Sequence, residues 1–419
     1  MNVKLPYGKN YQELEISENY NVDIIAPSDV PAAPDPLEIV RQAILSSLGS
    51  SLLDYAEARS VAIAVNDKTR PVPHQLLLPP LLQELQRIGI PSKAIRLFIA
   101  TGTHQPMPSN EFPSILPLEI IEKYAIVSHN CDDLNNLVEL GTTTYGTLVL
   151  VNKLFYQSDL RIVVGDIEPH HFAGFSGGVK SAAIGLTGRD TINHNHAMLV
   201  DKNSVIGEYD HNPLRQDIEQ IGKIIGIHFA VNAVLNSTKQ IVNAYAGDPA
   251  AVMRVGIPEA RNICQIYVPH LYDLVIASVG GYPKDNNFYQ SQKALTHSAL
   301  LTKESGTIIL VAACPEGSGS QSYESFMQDI HTFPEVFEKF KREGFRVGPH
   351  KAFQVAREGV RIHIVLVSEM NAKMVSSLLL EPANNLQEAF AKVQAGLSPE
   401  SQIAVMPRAT NTIPIIRTN

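Results

Sequence analysis

The chain is predicted to be an α/β protein of two domains with mainly parallel sheets and an active site in the cleft between them. Three observations point to this: its length of 419 residues, a series of short β-branched runs, and helical periodicity in the segments that separate them. A domain holds roughly 100–200 residues, so a chain of this length divides into two or three. Each β-branched run is continuously apolar rather than alternating, the pattern of a strand covered on both faces in a parallel sheet. Strands of that kind alternating with helices predict doubly wound layering.

In chain order the runs are SVAIAV ending at Val65, AIRLFIA at Ala100, LRIVVG at Gly165, LVIASV at Val279 and TIILVAA at Ala313. Ahead of them, PSDVPAAPDP near residues 27 to 36 reads as a Pro-rich connection between an N-terminal extension and the first helix. A helix is predicted after Asn212, with Pro213 in its first turn and Leu214, Ile218, Ile221 and Ile225 on one face. The domain break is placed between Arg261 and His270, just before the strand at Leu274. This gives an N-terminal α/β domain over 1–265 and a C-terminal α/β domain over 270–400. The closing segment, about 403–419, begins IAVMPRATNTIP and is expected to return to the first domain as one more strand and loop.

Composition narrows the function. With 44% hydrophobic and 18% charged residues the chain has the makeup of a well-packed globular protein. Thirty-four basic against 42 acidic side chains leave a net charge of -8, so there is no global positive field for nucleic acid or anionic lipid. An anionic substrate must therefore be held by a few placed cations. Cys131, Cys264 and Cys314 are odd in number, far apart and without CxxC spacing, which suggests neither disulfides nor a cysteine zinc site and fits a reducing compartment. No basic segment followed by an apolar run opens the chain, and no stretch of about 18 apolar residues occurs. The expectation is a cytoplasmic protein.

In doubly wound sheets ligands sit beyond the carboxyl ends of the strands, so chemistry is sought in the loops that follow the runs. The first is Asn66-Asp67-Lys68-Thr69-Arg70-Pro71, where Asp67 and Arg70 can pair or Arg70 can take a carboxylate bidentately, a solvated turn being the alternative. The second, Thr101-Gly102-Thr103-His104, lifts an imidazole over the sheet edge, where it is either a proton shuttle or a satisfied loop histidine. The third runs from Asp166 to Ser181 and packs two histidines, three glycines and Lys180 into sixteen residues. Gly174 to Ser181 approaches the P-loop pattern but has Val179 where that pattern demands Gly. Its glycines still permit close backbone approach to a phosphate. Lys180 is either a phosphate counter-charge or, if burial depresses its pKa, a nucleophile.

Further on, His194 and His196 are two residues apart and in a helix point to nearly opposite sides, so one of them at most reaches a given metal. Imidazole suits nickel, and there is no HExxH or cysteine partner to favour zinc. After the fourth run, Gly280 to Asn287 leads into a predicted helix on which Tyr289, Gln290 and Lys293 share a face, as an anion clamp or as a solvated helix start.

Taken in order from the DKTRP loop to the end of the chain, these five motifs resemble the nickel-dependent lactate racemase family. The resemblance implies a nickel pincer nucleotide, a pyridinium-3,5-bisthiocarboxylic acid mononucleotide that binds nickel through S, C and S. It implies a covalent thioamide link at Lys180, a protein nickel ligand at His196, and paired acid/base histidines at His104 and His170. It makes Arg70, Gln290 and Lys293 substrate-orienting, with Tyr289 nearby. Asp67, Thr69, Ser176, Gly177 and Gly178 are expected around the cofactor, and His171 and His194 are read as structural. The implied reaction inverts C2 of a small 2-hydroxy acid by proton-coupled hydride transfer through a 2-keto acid, two bases being needed because inversion presents the hydroxyl on two sides. Separate enzymes would have to supply the cofactor.

One departure stands out. Lactate racemases carry a Trp in the motif that appears here as Gly348-Pro349-His350-Lys351-Ala352-Phe353, and this chain has no Trp. Phe353 is read as the corresponding substrate-binding position, without an indole N–H, so the substrate need not be lactate. Two other readings are a non-catalytic carrier or sensor of a nickel or nucleotide ligand, and a phosphate-handling enzyme built on the Gly-rich loop.

Overall fold

The computed structural model describes residues 1–417. The chain forms two compact units, Asp29–Ile263 and a second made of Met1–Ser28 with the chain from Cys264 onward. Both are mixed α/β.

The first unit is built on a six-stranded sheet whose strands, from edge to edge, are Ile241–Gly247, Phe229–Leu235, Leu160–Asp166, Val61–Asn66, Ile95–Ala100 and Ala125–Ser128. All neighbours are parallel except the hairpin that joins Phe229–Leu235 to Ile241–Gly247. The central Val61–Asn66 strand buries its first five side chains without alternation, because a parallel strand is covered on both faces. On one face, Leu77, Leu81 and Leu85 of the helix His74–Arg87 and Val40 and Ile44 of the helix Pro36–Leu45 pack on Ile63, Leu97, Ile162 and Val231. Each such side chain contributes about 1.5–3 kcal/mol by leaving water. The Pro-rich connection ends where Asp35 caps the first helix, its carboxylate accepting from Glu38 N at 3.0 Å. The predicted helix after Asn212 is Pro213–Ile225, capped by the Asn212 side chain and stopped by Gly226 at φ 73°.

The second unit carries an entirely parallel six-stranded sheet in the order Glu381–Ala383, His363–Val367, Thr302–Val311, Tyr272–Ser278, Gln402–Met406 and Asn21–Ile24. The antiparallel pair Asn2–Tyr7 and Asn10–Glu15 lays Val3, Leu5, Tyr7 and Leu14 on the core formed by Leu274, Ile276, Ile309 and Val405. The helix Phe288–Ala299 packs on Tyr272–Ser278 and Thr302–Val311.

The five predicted strands are present, and the break falls at Ile263/Cys264. The closing segment differs from expectation. Gln402–Met406 lies between Tyr272–Ser278 and Asn21–Ile24 in the second sheet, and Ile413–Ile416 pairs with Gln265–Val268 of the same unit. It is the N-terminal extension, not the C-terminal one, that crosses to the other unit. A run of four buried residues, Ile403 to Met406, has the same pattern in either sheet, so periodicity could not assign its partner. Among the described residues no helix is long and apolar enough to cross a membrane.

Candidate active site

In the first unit the carboxyl ends of Val61–Asn66, Ile95–Ala100 and Leu160–Asp166 open onto a cavity of about 120 Å³. Its wall includes Asp67, Arg70, His104, His170, Lys180 and His196, so the three loops singled out in the sequence and the His196 helix do converge. This is the position that doubly wound topology reserves for ligands.

The Asp67 turn holds one imidazole. Asp67 Oδ1 accepts from Thr69 N at 3.1 Å and Thr69 Oγ1 at 2.7 Å, and Oδ2 accepts from His104 Nδ1 at 2.7 Å. A carboxylate only accepts, so the His104 proton is on Nδ1 and the lone pair on Nε2. Burial opposes the Asp67 charge, yet the bonds from His104 and Thr69 outweigh it and hold the carboxyl below its ordinary pKa. His104 itself is half exposed.

A second imidazole, His170, is held differently. Ala173 N donates to its Nδ1 at 3.2 Å, and Arg70 Nη2 lies 3.3 Å from its Nε2. A neutral ring has one lone pair, so it accepts from one of these donors at a time. The His171 ring stacks on it at 4.7 Å, and Phe172 sets its edge against both His170 and His196. Pro169–His170 pairs with Gly174–Phe175 in a two-residue ladder, and the turn between them requires Gly174, whose φ is 69° and whose added Cβ would lie 1.7 Å from Glu208 O.

The Gly-rich loop delivers Lys180 but does not build an open phosphate cradle. Ser176 N donates to Glu168 O at 2.7 Å, Gly178 N to Asn232 Oδ1 at 2.7 Å, and Lys180 N to Gly177 O at 3.4 Å. These backbone donors are engaged within the protein, unlike those of a P-loop. Burial, followed by the charges of Arg70 and Arg215, pushes the Lys180 amine well below its usual pKa, which favours the neutral, nucleophilic form. His196 is pushed down to about 3 by burial and by Lys180 and Arg70, leaving a neutral imidazole of the kind that binds a metal. His194 faces another way, its Nδ1 2.8 Å from Thr147 Oγ1, as the two-residue spacing predicts.

Sequence reasoning passed over Asp166 as a functional group. It is buried on the cavity wall with Oδ2 3.9 Å from Lys239 Nζ, and burial and Glu168 raise its pKa to about 7 against the pull of Lys239 and Arg70. Among the described residues no three His, Cys, Asp or Glu side chains form a metal-holding cluster. A metal at His196 would therefore need most of its ligands from a bound organic group.

In the second unit, Asn287 caps the helix Phe288–Ala299 by accepting from Gln290 N at 3.1 Å. Tyr289 and Lys293 are half-buried and Gln290 is exposed. The neighbouring helix Pro349–Gly359 turns His350 and Lys351 toward Tyr289, and Gln354 toward Gln292. Lys351 Nζ sits 4.7 Å above the Tyr289 ring, His350 meets that ring edge-on, and Gln292 Nε2 donates to Gln354 Oε1 at 2.9 Å. Phe353, on the same helix, sets its ring against Phe337 and Phe340 at 5.3 and 4.9 Å. Lys351, only 2% exposed, was missed because a lysine on a helix reads as solvated.

Comparison with known proteins gives this geometry a class. The lactate racemase N-terminal domain model matches residues 7–207, and the lactate racemase C-terminal domain model matches residues 269–413. The chain is thus a racemase-type isomerase. A lactate racemase of Thermoanaerobacterium thermosaccharolyticum is 29% identical over 98% of this chain and 99% of its own, and one of Lactiplantibacillus plantarum is 30% identical over the same shares. The structure of the lactate racemase apoprotein from Thermoanaerobacterium thermosaccharolyticum matches with a TM-score of 0.92 at 28% identity, each chain fully covered. The chain belongs to the lactate racemase family.

Proposed function

We propose that the protein inverts C2 of a small 2-hydroxy acid, using His104 and His170 for proton transfer and a nickel pincer nucleotide attached at Lys180. The observation that carries the proposal is the convergence of a depressed lysine amine, a neutral His196 and two further imidazoles on one cavity. These residues fit the cofactor. The amine is in the form that attacks an acyl carbon, and His196 offers a single neutral nitrogen donor. When bound, the cofactor would supply a reversible hydride acceptor for the substrate Cα hydrogen.

The chain's own residues do the rest. His104 Nε2 accepts the hydroxyl proton while Asp67 fixes the ring and stabilises its protonated form. His170 serves the opposite face, and Arg70 beside it offers a guanidinium for the substrate carboxylate. Tyr289, Gln290 and Lys293 are assigned to orienting the substrate. His350 and Lys351 beside Tyr289 favour a polar or anionic substrate side chain over the methyl of lactate. The free cysteines Cys131, Cys264 and Cys314 fit the cytoplasm, where the enzymes of cofactor synthesis would act as maturation partners.

The test is co-expression with a cofactor-synthesis pathway, intact-mass measurement, and a chiral assay of lactate, malate, aromatic lactates and sugar acids. A mass adduct is expected in the wild type and not in Lys180→Ala. His104→Ala and His170→Ala should keep the adduct and lose about 10²–10⁴-fold in turnover. Loaded protein that inverts none of these acids overturns the proposal.

A further inference from the structure

His196 lies on the helix Arg189–Ala197, and Asn195 just before it is fully buried. A buried amide needs partners for both its donors and its acceptor. Asn195 Nδ2 donates to Leu214 O at 2.9 Å and to Asp217 Oδ2 at 2.8 Å. Both partners only accept, so the orientation of the amide is not ambiguous. Its oxygen, not its nitrogen, faces His196 Nδ1 at 3.0 Å. An acceptor at that place requires the imidazole proton on Nδ1, and the lone pair is then on Nε2.

Asp217 is held in turn. It is fully buried on the helix Pro213–Ile225, where Oδ1 accepts from Thr143 Oγ1 at 2.6 Å and Oδ2 from Thr147 Oγ1 at 2.8 Å as well as from Asn195. With its proton directed to Asp217, Thr147 Oγ1 accepts from His194 Nδ1 at 2.8 Å. The Thr143 oxygen likewise accepts from Tyr145 N and Thr147 N at 3.3 and 3.2 Å. Every hydrogen bond in the cluster therefore has one possible direction, set by a carboxylate that has no proton to give.

We infer that Asn195 and Asp217 are positioning residues that fix the His196 tautomer, so that Nε2 is the nitrogen presented to a metal. The inference rests on the assignment of His196 as the nickel ligand. The partners that orient a ligating histidine typically account for 10–100-fold in metal affinity. Neither residue is on the cavity wall, so neither acts by touching the reacting atoms.

The test reads the tautomer directly. Protein labelled with ¹⁵N-histidine and free of cofactor gives long-range ¹H–¹⁵N spectra in which the His196 signals are identified by their loss in His196→Ala. The wild type is expected to show a protonated Nδ1 and an unprotonated Nε2. Asn195→Leu, which keeps the volume but removes the acceptor, and Asn195→Ala should show a mixture or the reverse tautomer. Their cofactor-loaded forms should hold nickel about 10–100-fold less tightly. A proton on Nε2 in the wild type overturns the inference whether or not the variants fold, and so does an unchanged tautomer in folded variants. Nickel content of loaded His196→Ala separates the two claims: wild-type retention there defeats the ligand assignment and with it the purpose of the cluster, while the tautomer measurement stands on its own.

Discussion

Asp67 and Asp217 act on different histidines in the same way, one directly and one through an amide, by deciding which ring nitrogen carries the proton. Replacing Asp67 with Asn substitutes a group that can turn its NH₂ toward His104 and move the imidazole proton to Nε2, the nitrogen that must accept. Asp67→Asn is therefore expected to lower kcat by about 10²-fold or more with little change in bound cofactor, as read by steady-state kinetics beside intact mass. Undiminished turnover would remove His104 from the proton path. At this scale the sequence was informative where polar residues follow a strand end: Asp67, Arg70, His104 and Lys180 all stand on loops that topology directs to a ligand. It was silent on Asn195, Asp217 and Lys351, because a polar residue inside a helix looks solvent-facing until a neighbouring helix is known to cover it. The roles of His196 and Lys180 came from resemblance, and their burial could be read only from the fold.

Among the elements, the turn between Pro169–His170 and Gly174–Phe175 has the least tolerance. Gly174→Ala would combine a positive φ with a contact on the Glu208 backbone that no rotamer can relieve. It is expected to cost at least about 1–3 kcal/mol, seen as a lower urea midpoint, and to displace His170. A midpoint equal to wild type would show that the turn can rearrange. Strands covered on both faces were legible because their apolar runs are continuous, as in Val61–Asn66 and in residues 308–311 at the end of Thr302–Val311. The Asn2–Tyr7 hairpin was not, since its alternating burial depends on a core that other segments supply.

Over the whole molecule, buried neutral histidines tie stability to pH in both units. In the first, His74 is fully buried with Nδ1 on Ile115 O at 3.2 Å, and burial lowers its pKa to about 4. In the second, His297 Nδ1 is 2.7 Å from Ala409 O, and burial lowers its pKa to about 4 as well. Both folded values lie below the unfolded value of about 6.5, so their stabilising effect is complete above that pH and is lost as pH falls toward 4. Each ring should cost about 2 kcal/mol between pH 7 and pH 5. Urea midpoints should fall across that range, and midpoints that hold steady or rise would contradict the linkage.

The pairing of Asn21–Ile24 with Gln402–Met406 also sets an order of events during translation. Asn21–Ile24 leaves the ribosome long before the strand it pairs with is made, and meanwhile its short, partly polar sequence with Asp23 offers little for another nascent chain to join. Asp29–Ile263 is continuous and depends on no later segment for its sheet, so it can finish folding while the rest is still being made. A chain stalled after Ile263 has emerged but before Gln402 is made would already display Lys180 in its mature surroundings, open to modification before release.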